Sequence, residues 1–234
     1  MKKKAIFNWS GGKDSALALF YILGSNEFEI TNLLTSVNSV YNRVSMHGVR
    51  RSLLLEQADS IGIPLTTIEV PGEISMDEYD RIMKEKMASF KNNGIDYSIF
   101  GDIFLEDLKK YREEKLAEVG MKAVFPLWKK DTTKTVHEII DLGFKAITVC
   151  VDAKLLDESF VGRIIDNDFI KDLPKNIDPC GENGEFHSFV FDGPIFTKPI
   201  KFEISEKVLR EYKSDVNVNW NTSFWYCDLA ETNI

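Results

Sequence analysis

Ala5-Ile6-Phe7-Asn8-Trp9-Ser10-Gly11-Gly12-Lys13-Asp14-Ser15-Ala16-Leu17-Ala18-Leu19-Phe20-Tyr21-Ile22-Leu23 is the stretch that decides the fold. The apolar run to Trp9 reads as a buried strand, Ala16 to Leu23 as a helix, and the residues between them as a tight turn. Adjacent glycines let the backbone approach an anion closely, and the helix behind them directs unpaired N–H groups and its positive dipole end into the same space. The Ser10 and Ser15 hydroxyls add donors, so a phosphate or pyrophosphate would be held from several sides. Asp14 is the odd member. A carboxylate beside a polyanion is unfavourable unless it holds a divalent cation or a donor, which points to magnesium at the phosphates.

Outward from this turn, strand-like runs alternate with helical patterns, the signature of a parallel α/β sheet. Strands are expected over 4–8, 30–37, 65–70, 97–100, 122–125 and 146–151, all in that sheet. Met76, Tyr79, Met83, Met87 and Phe90 step down one helix face, with Ser75 and Glu78 spaced as a capping box. Leu54, Ala58 and Ile61 make a second stripe ended by Gly62; Val136 and Ile140 make a third ended by Gly143. Such stripes read as core-facing. After Val151 the alternation stops, and 157–171 reads as one more helix with Val161, Ile165 and Phe169 on a single face. This divides the chain into an α/β domain over 1–152 and a smaller C-terminal portion over 153–234.

With 234 residues and 44% hydrophobic content, the chain can bury a sizeable core. Its net charge of -8 argues against a broad nucleic-acid surface, and Arg50-Arg51 and Lys129-Lys130 read as solvated pairs. No apolar run spans a bilayer, and Met1-Lys2-Lys3-Lys4 leads straight into a strand, so the protein is expected in the cytoplasm without a membrane. Three widely spaced cysteines, Cys150, Cys180 and Cys227, fit neither a disulfide framework nor a zinc site. The aromatic-rich tail from Lys201, with Trp220, Phe224, Trp225 and Tyr226, suits packing on the core or a homodimer contact.

In an open parallel sheet, ligands collect beyond the carboxyl ends of the strands. That rule selects the glycine turn, then Ser36, Asn38 and Met46-His47-Gly48, then Gly101-Asp102, then Pro126-Leu127-Trp128. Asp102 suits a ribose hydroxyl or magnesium, or equally a helix cap. His47 suits a phosphate or substrate, or packing at a helix entry. Trp128 reads as a core or rim aromatic. A second concentration of polar residues lies at Asp178-Pro179-Cys180-Gly181-Glu182-Asn183-Gly184-Glu185-Phe186-His187-Ser188. A strand starting at Glu185 would put Glu185 and His187 on one face, able to position or deprotonate a nucleophile; the plainer reading is a hairpin with a surface acid. Cys180 reads as a bystander thiol.

The turn fits neither a Walker A loop, whose glycines are separated, nor a dinucleotide fingerprint, which needs a third glycine. It resembles the S-G-G-x-D-S loop of the ATP pyrophosphatases, the PP-loop, in which the β- and γ-phosphates leave together. With Met46-His47, Gly101-Asp102, Pro126 to Trp128 and Gly181 to Phe186 included, the chain resembles the diphthine–ammonia ligase family up to about Ile200. The resemblance implies a Rossmann-like fold of the adenine nucleotide alpha hydrolase type. It implies an ATP-dependent reaction in which the carboxylate of diphthine, a modified histidine of translation elongation factor 2, is adenylated and then amidated by ammonia. The nucleotide and magnesium would be bound by Asn8, Trp9, Ser10, Gly11, Gly12, Lys13, Asp14, Ser15, Ser36, His47, Gly101 and Asp102, with Asp14 the metal ligand. Asp14, Glu182, Glu185 and His187 would serve the chemistry. Two alternatives stay open: a PP-loop tRNA-modifying enzyme, which commonly carries paired cysteines or a basic appendage, and a sensor that binds ATP or AMP without turnover.

Overall fold

The computed structural model describes residues 2–44, 48–72, 74–212 and 222–232. The first half alternates as expected: β1 (Lys3–Asn8), α1 (Lys13–Ser25), β2 (Phe28–Asn38), a short β3 (Arg43–Val44), α2 (Arg51–Ile61), β4 (Leu65–Val70), α3 (Met76–Asn92), β5 (Tyr97–Ile99), α4 (Glu106–Ala117) and β6 (Lys122–Val124). β1, β2, β4, β5 and β6 pair in parallel, with β1 between β2 and β5. From β1 the chain therefore builds outward through β2 to β4, then returns to the other side of β1 to lay down β5 and β6. The order reverses between β1 and β5, so the loops after these two strands splay apart and leave a crevice. β3 pairs antiparallel with Val37 and Asn38, on the β2 edge that β1 vacates after Asn8.

The capping signals act as read. The Ser75 hydroxyl accepts from Glu78 N at 3.2 Å, and Gly62 closes α2 with φ 79°. Side chains on one sheet face, such as Ala5 and Phe7, join the larger core with α1; Ile6 and Leu34 on the other face join Met87, Phe90, Phe100 and Leu116 beneath α3 and α4.

The second half departs from the expectation at two places. After α5 (Thr132–Asp141), the strand β7 (Lys145–Asp152) does not extend the parallel sheet. It lies in a second, antiparallel sheet of order β8-β7-β10-β9, with β8 (Phe186–Asp192), β9 (Phe202–Tyr212) and β10 (Thr222–Glu231). Its run of buried residues, Ala146 to Val151, is covered on both faces and so reads like a parallel-sheet strand. Likewise 157–171 is not one helix. It forms a 3-10 turn over Glu158–Phe160 and α6 over Asn167–Asp172, separated by extended chain. That chain is pinned to β7 by Gly162 N to Thr148 O (2.8 Å) and Ile165 N to Ala146 O (2.8 Å), and Gly162 takes φ 76°, which a continuing helix cannot accept. Val161, Ile165 and Phe169 are nonetheless all buried in the core. Among the described residues, no helix is long and apolar enough to cross a membrane.

Candidate active site

The glycine turn leaves β1 with its shape set from several directions. Trp9 is buried and its indole Nε1 donates to Gln57 Oε1 at 2.9 Å. Gly11 takes φ 79° and packs on α2; a Cβ there would lie 2.8 Å from Leu54 Cδ2. Its carbonyl accepts from Val190 N of β8 (2.8 Å) and from Gln57 Nε2 (3.1 Å). Ser10 Oγ accepts from Gly12 N (3.2 Å) and bonds Ser15 Oγ (3.0 Å), which donates to Gly12 O (2.8 Å). Ser188 Oγ of β8 accepts from Lys13 N at 3.2 Å. Across the crevice, Gly101 is pressed onto the first turn of α1, where a Cβ would come within 3.1 Å of Ser15 N and Cα. The second sheet thus serves the first by buttressing the turn.

The loop before β8 closes over this arrangement. Glu182 Oε1 accepts from Ile103 N (2.7 Å) and Phe104 N (3.4 Å), tying the loop to the segment after β5. Lys13 Nζ, only 2% exposed, donates to Asp14 Oδ2 (2.8 Å) and to the Cys180 carbonyl, and sits 5.1 Å from the centre of the Phe186 ring. Glu185, by contrast, turns inward. Its carboxylate accepts from Asp178 N (3.0 Å), Asn183 N (2.9 Å) and Asn183 Nδ2 (3.0 Å), so it fixes the shape of the loop. β8 starts at Phe186, and the expected pairing of Glu185 and His187 on one strand face does not form.

The cleft so enclosed measures about 750 Å³. Asn8, Trp9, Ser10, Gly12, Lys13, Asp14 and Ser15 line it from the turn, Ser36 from β2, Gly101 and Asp102 from the β5 end, and Glu182 and His187 from the second sheet. Gly11 and Glu185 do not line it. Met46 and His47 lie outside the described residues.

Burial governs the ionisable groups. It pushes Glu182 up to about 7, helped by the charges of Asp14 and Asp102 and opposed by the two backbone N–H donors. It pushes Asp102 up as well, against the pull of Arg112. It pushes His187 down to about 4, with the Lys13 charge acting the same way, so this imidazole is neutral at pH 7. Burial also opposes the charge on Lys13, but Asp14 and its other neighbours outweigh that and hold the ammonium above its usual range. Cys180 is buried, its thiol is raised by burial, and its Sγ bonds Thr132 O at 3.3 Å, as a bystander would.

Buried polar atoms normally find a partner. Among the described residues, the side-chain atoms that do not are Asp14 Oδ1, Asp102 Oδ2 and Arg112 Nε, all on residues lining the cleft. Two are carboxylate oxygens, which suit a divalent cation or ligand hydroxyls. No group of three or more metal-ligating side chains gathers among the described residues, so a magnesium ion would take its remaining ligands from phosphate and water. Asp102 does not cap α4, whose N-cap position is Leu105.

Residues 1–123 match the diphthamide synthase N-terminal domain, and residues 131–232 match the diphthamide synthase C-terminal domain. The chain belongs to the diphthamide synthase family. It is 25% identical over 222 residues to the human diphthine–ammonia ligase, covering 86% of this chain and 83% of that protein. It is 26% identical over 222 residues to the mouse diphthine–ammonia ligase, with the same coverage of 86% and 83%. The diphthine–ammonia ligase of Schizosaccharomyces pombe is 25% identical over 223 residues, which span 88% of this chain and 36% of the yeast protein. The C-terminal match runs past Ile200, where the sequence reading ends the resemblance, because β9 and β10 complete the sheet that β7 and β8 begin.

Several features of the cleft escape the sequence reading. The α3 stripe is not wholly core-facing: Met87 and Phe90 are buried and Tyr79 and Met83 pack partly exposed against the core, but Met76, Tyr79, Met83 and Met87 all line the cleft. Three methionines on one face were the available signal, since flexible thioethers suit an adaptable wall. Gln57 and Ser188, which hold the turn, had no local signal, because their partners are distant in sequence. Trp128 stays outside the cleft against Phe125. Arg50 pairs with Asp228, Arg51 with Glu69 and Lys129 with Glu106, which leaves no basic patch at those positions.

Proposed function

We propose that this chain is an ATP-dependent, AMP-forming amide ligase that converts the carboxylate of diphthine on elongation factor 2 to the amide, with ammonia as nitrogen donor. The observation that carries this reading is the pair of buried, unpartnered oxygens, Asp14 Oδ1 and Asp102 Oδ2, on residues lining the same cleft as the glycine turn. A substrate oxygen would attack the α-phosphorus as the bond to pyrophosphate breaks; ammonia would then attack the acyl carbon and AMP would leave. The N-terminal turn of α1, with Ser10, Gly12 and Ser15, suits the departing pyrophosphate. Asn8, Ser36, Gly101 and Asp102 line the part of the cleft suited to the nucleoside, and Trp9 and Gly11 hold the turn in place. Asp14 would hold magnesium, which would offset charge developing on the phosphates.

Glu182, half ionised near pH 7, is suited to take a proton as ammonium becomes the nucleophile, and neutral His187 to hydrogen-bond the acyl group. Glu185 supports these two by fixing the loop. The strand ends of the parallel sheet would thus hold the nucleotide, while the acyl substrate would meet Glu182 and His187 of the C-terminal portion together with α3 and α4. A translation factor as substrate places the enzyme in the cytoplasm. Isolated, buried cysteines and an acidic chain speak against a tRNA-modifying relative.

The test is AMP and pyrophosphate release from magnesium ATP and ammonium, with diphthine-bearing elongation factor 2 as acceptor. Acceptor-dependent release should fall by roughly 100-fold or more in Asp14→Ala. Failure of the wild-type chain to release either product with that acceptor sinks the reading.

A further inference from the structure

Arg112, on α4, has no part in the sequence motifs, yet its guanidinium is engaged by both an aromatic ring and a carboxylate. Its guanidinium carbon lies 4.2 Å from the centre of the Phe100 ring. Its Nη2 reaches Asp102 Oδ1 at 3.2 Å, a single contact where an arginine and a carboxylate commonly close two. The fork is left open on both sides: Arg112 Nε and Asp102 Oδ2 are each buried without a partner. Nε is a donor awaiting an acceptor oxygen.

The charges around the cleft give that donor a purpose. Asp14, Asp80, Asp102 and Glu182 line it, and a carboxylate substrate would add one more acidic group. A cation with a donor to spare would offset that charge. Lys13 is committed to Asp14 and the Cys180 carbonyl. Lys84 and Lys115 also line the cleft, but they are ion-paired to Glu118 and Asp80. Among the described residues, Arg112 is the one arginine lining the cleft and the one cation there with a buried donor still free.

We propose that Arg112, stacked on Phe100 with its fork to Asp102 open, is the binding residue for the carboxylate of the acyl substrate and thereby sets the enzyme's selectivity for an anionic acceptor. This rests on the ligase reading above. The competing role, a hydrogen bond to a nucleotide oxygen, would act on ATP instead.

The two roles separate in steady-state kinetics of AMP release with diphthine-bearing elongation factor 2 varied at saturating magnesium ATP, alongside calorimetric titration of magnesium ATP without acceptor. Arg112→Met should raise the KM for the acceptor about 30-fold or more, while ATP affinity stays within about twofold. Arg112→Lys, which keeps the charge and loses the fork, should recover a large part of that KM and serves as the reporter if the methionine variant does not fold. An unchanged acceptor KM in both variants overturns the proposal, as does a fall in ATP affinity equal to the rise in acceptor KM. Wild-type enzyme that shows no turnover with this acceptor refutes the underlying ligase reading, separately from either result.

Discussion

The two walls of the cleft are built on opposite plans. On the turn side, backbone and buried side chains bind one another: Gly11 O takes bonds from Val190 and Gln57, Lys13 N is met by Ser188, and Gly101 sits so close to Ser15 that a Cβ would lie 3.1 Å from its backbone. On the α3–α4 side, Met76 is 65% exposed, and the ion pairs Lys84–Glu118 and Lys115–Asp80 are open to solvent. The contrast assigns different demands to the two walls. Stabilising a leaving pyrophosphate depends on donors that do not reorganise during the step, so they must be fixed in advance. Seating an acceptor side chain on a protein partner tolerates, and can use, flexible thioethers and aromatic rings.

The hardest way to break the contrast is at Gln57. This amide is fully buried and joins Trp9, Gly11 and Val190. Gln57→Ala leaves the indole donor unpaired, removes the side-chain bonds to the Gly11 and Val190 carbonyls and opens a cavity, with a predicted loss of about 3 kcal/mol in denaturant-unfolding stability. ATP affinity should fall with it, because the turn loses its side-chain tie to α2. A stability change below about 1 kcal/mol would mean that the turn holds its shape without the Gln57 amide, on the bonds from Val190 and Ser188 of β8.

Gly181→Ala attacks the loop instead. Gly181 takes φ 69°, and a Cβ would lie 2.7 Å from the Phe186 carbonyl oxygen, which belongs to a paired strand. The expected cost is about 1–3 kcal/mol. The readout that distinguishes the loop from the turn is AMP release, which should fall further than ATP affinity measured on the same protein.

What the sequence disclosed follows from range. The strand–turn–helix at the start is local, so alternation and the paired glycines were enough to place β1, α1 and the crevice. Strand-like stretches between helical patterns placed β2 and β4. β7 defeated the same reasoning, because a strand buried on both faces has the same text in a parallel or an antiparallel sheet. At 157–171 the helical spacing was real, but hydrogen bonds to Thr148 and Ala146, outside any local window, took the backbone. Glu185 was legible as unusual and not as a loop anchor, since its partners depend on how the loop closes. Arg112 was invisible: an arginine in a helix full of charges carries no mark of the Phe100 ring or of Asp102.

Glu182 sharpens the comparison through pH. Its folded value near 7 lies above that of an exposed glutamate, so its neutral form suits the fold. Its contribution to stability is therefore present in full below the unfolded value and is lost as pH rises through about 7. Relative to Glu182→Gln, wild-type stability should decline between pH 5 and 8. If ionised Glu182 takes the ammonium proton, kcat should rise over the same interval, by roughly tenfold from pH 6 to pH 8, and that limb should vanish in the glutamine variant. A limb that survives the substitution removes Glu182 from proton transfer.

The smallest effect is expected on the flexible wall. Met83 lines the cleft on α3, and leucine matches its volume, so Met83→Leu should change stability by less than about 1.5 kcal/mol. ATP affinity should stay within about twofold, because the groups suited to the phosphates lie on the opposite wall. What can change is the fit of the acceptor: leucine branches where methionine bends, and a modest rise in acceptor KM with an unaltered kcat would mark lost adaptability rather than lost chemistry. A tenfold loss of ATP affinity would show instead that α3 is as rigid a part of the nucleotide site as the glycine turn, and the division between the walls would have to be abandoned.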